Sequence, residues 1–295
     1  MKKKILITGT NGQLGSELQK LAPAHSQFEF LPVDINTLNL CDKTKTLSFF
    51  RNNPPDYIIN CAAYTAVDKA EDEIENCYKV NCDAVRNIAE ATPAQTRIIH
   101  ISTDYVFDGT GKTPLKESDH PNPQSVYGKS KLAGEQVLMQ IKPESIIIRT
   151  AWLYSSFGNN FVKTMIRLGK ERSELNVVCD QHGTPTYAAD LAQAVLNIIR
   201  RSEEKNAFPA GIYHYSNEGA TTWFDFTKKI LQLARITTCT VHPISASQYP
   251  TKAPRPEYSV LDKTKIKETF GIVIPDWEWS LGILLLSGHH SSIKN

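Results

Sequence analysis

No stretch of the 295 residues comes near the roughly 20 consecutive apolar positions that a membrane-spanning helix needs. The longest late apolar run is Ile283 to Leu286. The run behind the basic Lys2 to Lys4 start, Ile5 to Ile7, stops at Thr8-Gly9, far short of the apolar segment of a signal peptide. Neither a membrane partner nor an export signal is expected, and a soluble, cytoplasmic protein is. A charge excess is missing too: 33 Lys+Arg stand against 31 Asp+Glu, a formal net charge of +2, so the electrostatic footprint of a nucleic-acid binder is absent. The six cysteines (Cys41, Cys61, Cys77, Cys82, Cys179 and Cys239) are scattered, with no C-x-x-C pair and no histidines at zinc spacing. They read as reduced thiols of a cytoplasmic protein, and no metal site is expected from them. No fixed-period repeat and no Gly/Ser linker interrupts the chain.

What is present is an alternation of short apolar runs with polar helical stretches, the pattern of βαβ units wound into a parallel sheet covered on both faces. Lys4 to Thr8, Phe28 to Val33, Asp56 to Asn60, Arg97 to Ile101 and Ser145 to Arg149 read as strands. Leu14 to Leu21, Ala84 to Ala91 and Ser130 to Met139 read as helices between them. The expected fold class is α/β, a doubly wound parallel sheet with a smaller, interleaved C-terminal domain. After Thr150 the regularity weakens: Ser155 to Asn160 reads as a loop, Phe161 to Lys170 and Asp190 to Arg200 as helices, and Gly211 to Tyr215 as one more strand. The remainder, proline-rich between Pro243 and Pro275, is not expected to continue the βαβ pattern. The division is expected at residues 1–150, with segments near 187–217 returning to that unit, against 151–186 and 218–295.

The strongest local feature is Thr8-Gly9-Thr10-Asn11-Gly12-Gln13-Leu14-Gly15, whose glycines at 9, 12 and 15 fall between a predicted strand and a predicted helix. Such a turn lets the backbone approach a pyrophosphate, and the helix N-terminus offers it N–H groups. The spacing is G-x-x-G-x-x-G rather than G-x-G-x-x-G. Asp34, nineteen residues after Gly15 at the end of the second strand, is placed to accept from an adenosine ribose hydroxyl, which favours NADH. Lys43 and Lys45 downstream leave a 2′-phosphate, and hence NADPH, open.

Ser102-Thr103 follows the Arg97 to Ile101 run, and Tyr127-Gly128-Lys129-Ser130-Lys131 opens a helix twenty-four residues after Thr103. Of eleven tyrosines, only Tyr127 has a lysine four residues on. Positions i and i+4 share a helix face, so the Lys131 ammonium is expected beside the Tyr127 phenol. Bringing a phenol from about 10 to near 7 needs about 4 kcal/mol of differential stabilisation, which the lysine and a nicotinamide cofactor together are expected to supply.

The stretches TGTNGQLGSEL (8–18), NCAAYTAVDKAE (60–71), HISTDYVFDG (100–109), VYGKSKLAGE (126–135), RTAWLY (149–154), NNFVKTM (159–165), DQHGTPT (180–186) and APRPEYSVLD (253–262) resemble the extended short-chain dehydrogenase/reductase superfamily. Within it they are most similar to the dTDP-4-dehydrorhamnose reductase family, from residue 5 to about 280. The resemblance implies reduction, by NADPH or NADH, of the 4-keto group of a dTDP-linked 6-deoxysugar, the last step of activated L-rhamnose synthesis. It implies that Tyr127 protonates the C4 oxygen, that Thr103 holds that oxygen, and that Lys131 tunes Tyr127 and binds the nicotinamide ribose. Gly9, Gly12 and Gly15 would cradle the pyrophosphate, with Asn11, Gln13, Leu14, Asn39, Leu40, Ala62, Ala63, Tyr64 and Ser102 also on the cofactor. Trp152 resembles a sugar-contacting tryptophan, with Thr65, Val67, Asp104 and Tyr105 as further sugar contacts and Asn160, Lys163 and Arg255 suited to the nucleotide diphosphate. The first unit would then bind the cofactor and the second the substrate.

Certain members of this family are homodimers bridged by Mg²⁺ through three glutamates. Glu17 matches the first of these, but the second position holds Asp190 and the tail around His289-His290 offers no glutamate, so a bridging metal is not expected. A sugar-nucleotide dehydratase or epimerase would share the glycine turn and the Tyr/Lys pair; a dehydratase carries a carboxylate where Tyr105 stands. A regulatory NADP-binding subunit, like the methionine adenosyltransferase β subunit, would bind cofactor without turnover.

Overall fold

The computed structural model describes residues 2–289, with side chains described as far as residue 286. The chain forms strands β1 (Lys3–Thr8), β2 (Phe28–Val33), β3 (Tyr57–Asn60), β4 (Arg97–Thr103), β5 (Ile146–Thr150), β6 (Leu153–Tyr154), β7 (Glu174–Val178), β8 (His182–Gly183), β9 (Thr186–Tyr187), β10 (Gly211–His214), β11 (Thr221–Thr222) and β12 (Thr240–Ile244). Its helices are α1 (Gln13–Leu21), α2 (Lys43–Asn52), α3 (Val67–Ala70), α4 (Ile74–Tyr78), α5 (Ala84–Ala91), α6 (Val126–Ile141), α7 (Phe161–Glu171), α8 (Ala188–Lys205), α9 (Trp223–Leu233), α10 (Thr264–Phe270) and α11 (Trp277–His289).

Six strands make one parallel sheet in the order β10-β5-β4-β3-β1-β2. Ile7 pairs with Ile59, Ile58 with Ile98, Ile99 with Ile146 and Ile147 with Ile212. Alternate residues point to opposite faces, so Ile5, Ile7, Ile59, Ile99, Ile146 and Ile148 meet Leu14 and Leu18 of α1 and Leu191, Val195 and Ile198 of α8. Leu6, Ile58, Ile98 and Ile147 meet Phe50 of α2, Val85 and Ile88 of α5 and Leu138 of α6 on the other face. Burial on both faces is why these strands read as continuous apolar runs. The strand order reverses at β1, and a crevice opens at the carboxyl ends of β1 and β3, where α/β sheets bind ligands.

The expected strand at Gly211 to Tyr215 forms as β10 (Gly211–His214), at the edge of the sheet beside β5. A second core lies outside the sheet, where Tyr154, Val162, Met165, Leu175, Val177, Phe226, Ile230 and Trp277 pack together. Around it β12 pairs parallel with β7, β6 parallel with β9, and β11 antiparallel with β8. The parallel β7–β12 pair carries α/β character further along the chain than expected, into the proline-rich part: Pro243 stands in β12, in a pair where no third strand needs its missing N–H.

Candidate active site

The turn after β1 builds one wall of the crevice. Gly9 has φ of 64°, and a Cβ there would stand 2.7 Å from the Ala62 nitrogen, so only glycine lets β1 exit this close to the end of β3. Gly12 differs: a Cβ would meet only the Gly9 oxygen, at 3.2 Å. Gly12 is also the N-cap of α1, so no side chain caps the first N–H groups of the helix, and Gly12, Gln13 and Leu14 there line a cavity.

Two cavities meet at Gly9, Gly12, Cys61 and Ala63. The smaller, of about 270 Å³, is lined by Asn11, Val33, Asp34, Leu38, Asn39, Leu40, Ala62 and Val80, an apolar slot with one carboxylate at its mouth. Asp34 accepts from the backbone N–H groups of Asn36 and Thr37, both at 2.9 Å, and from the Asn11 amide at 2.7 Å. The Thr37 N–H foremost, then the Asn11 amide, hold its carboxyl below the usual carboxylate range. Lys43 pairs with Glu90 and Lys45 with Asp42, and neither lines this slot.

The larger cavity, of about 510 Å³, is lined by Gly12, Gln13, Leu14, Gly15, Ala63, Thr65, Val67, Ser102, Thr103, Asp104, Tyr105, Tyr127, Lys131 and Trp152. Thr103 ends β4 and caps the next turn by accepting from the Tyr105 N–H at 3.2 Å while its hydroxyl donates to Asp104 at 3.1 Å. Ser125 caps α6 by accepting from the Gly128 N–H at 3.1 Å, which starts the helix one residue before Tyr127. The helix thus opens one residue before the expected opening at Tyr127 and extends past both ends of the Ser130 to Met139 run, because the cap sets its start. Burial pushes the Tyr127 phenol well above its usual range, with the neighbouring Thr103 hydroxyl drawing it back. In the chain alone the phenol is thus held on the protonated side; the tuning toward 7 was expected from the lysine and a bound cofactor together.

Lys131 does share the face of Tyr127, yet its ammonium nitrogen turns to β4. It donates to the Ile101 carbonyl at 2.7 Å and lies 3.3 Å from His100 Nε2. The His100 Nδ1 lies 2.9 Å from the Asn60 amide, and the Thr8 hydroxyl donates to the Asn60 oxygen at 2.6 Å and accepts from the Ala62 N–H at 3.3 Å. This chain ties the lysine to the glycine turn through the ends of β4, β3 and β1. Burial draws Lys131 down to about 8, opposed by Glu135, and holds His100 well below its usual value, uncharged. Burial raises Asp104 to about 6; its Oδ2 is buried without a hydrogen-bond partner.

Other expected residues sit differently. The Ser102 hydroxyl donates to Glu135, which pairs with Arg149 through Nε at 3.0 Å and Nη2 at 2.7 Å. Tyr64 lies outside both linings: its N–H donates to Asn81 and its hydroxyl to Glu73. Asn160 caps α7 and donates to Gln13, and the Lys163 ammonium donates to the Gly158 carbonyl, so both brace the loop whose Gly158 and Asn159 reach the cavity. Arg255 pairs with Asp68 at 2.5 Å and donates to the Tyr105 hydroxyl at 3.0 Å, strapping the later chain across the crevice. Glu17, which matches the first of the three glutamates, is buried and accepts from Ser155, while Asp190 accepts from Asn217 and Ser280. Among the described residues no three His, Cys, Asp or Glu side chains gather where they could hold a metal. The His289-His290 pair lies outside the described side chains.

Reading the motifs missed the supporting layer: His100, Asn60, Glu135, Arg149 and Asn81, whose amide donates to Ser130 at 2.9 Å. One signal was available, a histidine inside the otherwise apolar run Arg97 to Ile101.

A glycine turn at the reversal of a parallel sheet, with a buried Tyr/Lys pair and a threonine on the same cavity, defines a nicotinamide-dependent reductase of the extended short-chain type. The family described as "RmlD substrate binding domain" matches residues 2–287. The dTDP-4-dehydrorhamnose reductase of Aggregatibacter actinomycetemcomitans is 42% identical over 288 residues, 94% of this chain and 97% of that protein. Among solved structures, the dTDP-4-dehydrorhamnose reductase of Clostridium acetobutylicum superposes with a TM-score of 0.91 at 43% identity, covering 97% of this chain and 99% of that one. The Bacillus anthracis enzyme, solved in complex with NADP, gives 0.91 at 40% identity, covering 97% and 100%. The chain belongs to the dTDP-4-dehydrorhamnose reductase family, NAD(P)H-dependent oxidoreductases of dTDP-rhamnose synthesis. No helix among the described residues is long and apolar enough to cross a membrane.

Proposed function

We propose that the chain reduces the 4-keto group of dTDP-4-dehydro-L-rhamnose to give dTDP-L-rhamnose, with NADPH or NADH as reductant. The observation that carries this reading is that Tyr127, Thr103 and Lys131 line the same cavity that the glycine turn opens. The residues fit the cofactor: Gly12 on the lining of both cavities, the α1 N-terminus without a side-chain cap and the apolar slot ending at Asp34 suit a pyrophosphate and an adenosine. When bound, the nicotinamide supplies the hydride taken up at the sugar's C4.

Tyr127 carries the proton for the C4 oxygen. Its burial keeps it protonated until negative charge develops there, when its O–H becomes the nearest acid. Thr103 carries a second hydroxyl on the same cavity, whose one proton, given to Asp104 here, turns to that oxygen when the sugar binds, and Lys131, with one donor on Ile101 and the ring of His100 beside it, has N–H left for the cavity and stabilises the phenolate that remains. Thr65, Val67, Asp104, Tyr105 and Trp152 form the wall that would face the sugar; Asn160, Lys163 and Arg255 shape the rim rather than the floor. Residues 1–150, with the return near 187–217, are read as the cofactor unit, and 151–186 with 218–295 as mainly the substrate unit, supported by the separate core around Phe226. Six free cysteines suit a reducing, cytoplasmic setting.

The test is oxidation of NADH or NADPH by the purified protein, dependent on the keto-sugar nucleotide, with dTDP-L-rhamnose identified as product. Cofactor binding without sugar-dependent oxidation would overturn the assignment in favour of a regulatory subunit.

A further inference from the structure

Trp152 combines three features that no other residue in the crevice shows together. Its φ of 46° lies in the left-handed region, it lines the cavity, and its indole is stacked on Trp223, with centroids 3.5 Å apart and planes 10° from parallel. Trp223 is not part of the cavity lining. At the edge of the same indole lies Gly183, where a Cβ would fall 2.5 Å from the Trp152 ring. The Trp152 carbonyl accepts from the Thr186 N–H at 3.1 Å, fixing the backbone as well. Gly183 belongs to the DQHGTPT stretch, whose role the chemistry above does not explain.

A large aromatic in a left-handed backbone conformation persists only where its surroundings impose it. Here β8, β9 and the start of α9 impose it together, and none of the three touches the reacting atoms. We infer that Trp223 and Gly183 are positioning residues that set selectivity for the sugar, by clamping the Trp152 indole as a rigid wall for the apolar C–H face of a deoxyhexose ring. The inference rests on the reading of Trp152 as that wall. A face of C–H groups, including the methyl of a 6-deoxysugar, lies favourably on an indole, whereas an added hydroxyl there would be desolvated without a partner. A fixed indole discriminates between the two; a mobile one would yield.

Three changes test it with the full-length protein. Trp223→Leu removes the stacking face, Gly183→Ala drives the indole off its seat, and Trp223→Phe restores an aromatic face. Stacked indoles couple in the far-ultraviolet, so the Trp152–Trp223 circular-dichroism couplet reports the clamp independently of activity. The couplet should vanish in Trp223→Leu and weaken in Gly183→Ala. In both, KM for the keto-sugar nucleotide should rise about tenfold or more while cofactor Kd stays within about twofold. Trp223→Phe should recover most of the lost KM. Loss of the couplet with unchanged KM and kcat, while Trp152→Ala is impaired, would overturn the clamp alone. Unchanged kinetics in Trp152→Ala would overturn the wall and the clamp with it.

Discussion

The Lys131 ammonium nitrogen stands 3.3 Å from His100 Nε2, in a pocket where both side chains are almost completely buried. An uncharged imidazole there gives the lysine a partner that adds no charge to the site, so the lysine is held without being neutralised by a carboxylate.

His100→Leu should remove that partner and loosen Lys131 beneath Tyr127. The expected result is a kcat about tenfold lower or worse, with cofactor Kd little changed and the pH–rate profile displaced, because Lys131 titrates among His100, Glu135, Cys61 and Cys77. Steady-state kinetics across pH checks this. A variant that merely melts earlier, with kcat and profile intact, would assign His100 to stability alone.

Asp34 bears on the choice of cofactor. Its carboxylate is charged at neutral pH and faces the adenosine slot, while Lys43 and Lys45 are paired elsewhere. A ribose diol suits that site better than a 2′-phosphate. NADH should show the higher kcat/KM, and Asp34→Ala should narrow the gap. A preference for NADPH in the unaltered protein would contradict this.

Asp104 predicts a pH dependence of stability. Its pKa is raised by burial from 3.8 to about 6, so the folded state holds its proton more tightly than the unfolded state does. Stability from this group is complete below about pH 4 and is lost as pH rises through about 6, a change on the order of 3 kcal/mol. Asp104→Asn should therefore be more stable than the parent at neutral pH, with the gap closing toward about pH 4. Denaturant unfolding of both proteins across this range checks it; a gap independent of pH would refute it.

Glu135→Leu would leave the Arg149 guanidinium buried and unpaired beside the sheet. Breaking such a pair should cost about 3–5 kcal/mol, read from urea unfolding. A loss below about 1 kcal/mol would mean that water reaches Arg149.

The sheet was legible because a strand buried on both faces reads as an unbroken apolar run, as Tyr57 to Ile59 and Ile146 to Ile148 do. The glycine turn and the Tyr127/Lys131 pair were legible because their geometry is local. The two-residue strands β6, β8, β9 and β11 were not, since nothing as short has a period. The link from Lys131 through His100 and Asn60 to Thr8 was hidden for a different reason. Its members lie 31, 40 and 52 residues apart, and only the stacking of strand ends brings them together. Lys163 and Arg255, which the resemblance assigned to the nucleotide diphosphate, meet the Gly158 carbonyl and Asp68 with Tyr105 in the chain alone, partners that no local pattern announces.

Comparing the protein with Tyr127→Phe tests the central claim most directly, by following sugar-dependent oxidation of NADH and NADPH and measuring cofactor Kd in both. The account predicts that the unaltered protein turns over, and that the variant loses turnover by about a hundredfold or more with cofactor Kd within severalfold. A Tyr127→Phe protein that reduces the keto-sugar at a near-normal rate would contradict it.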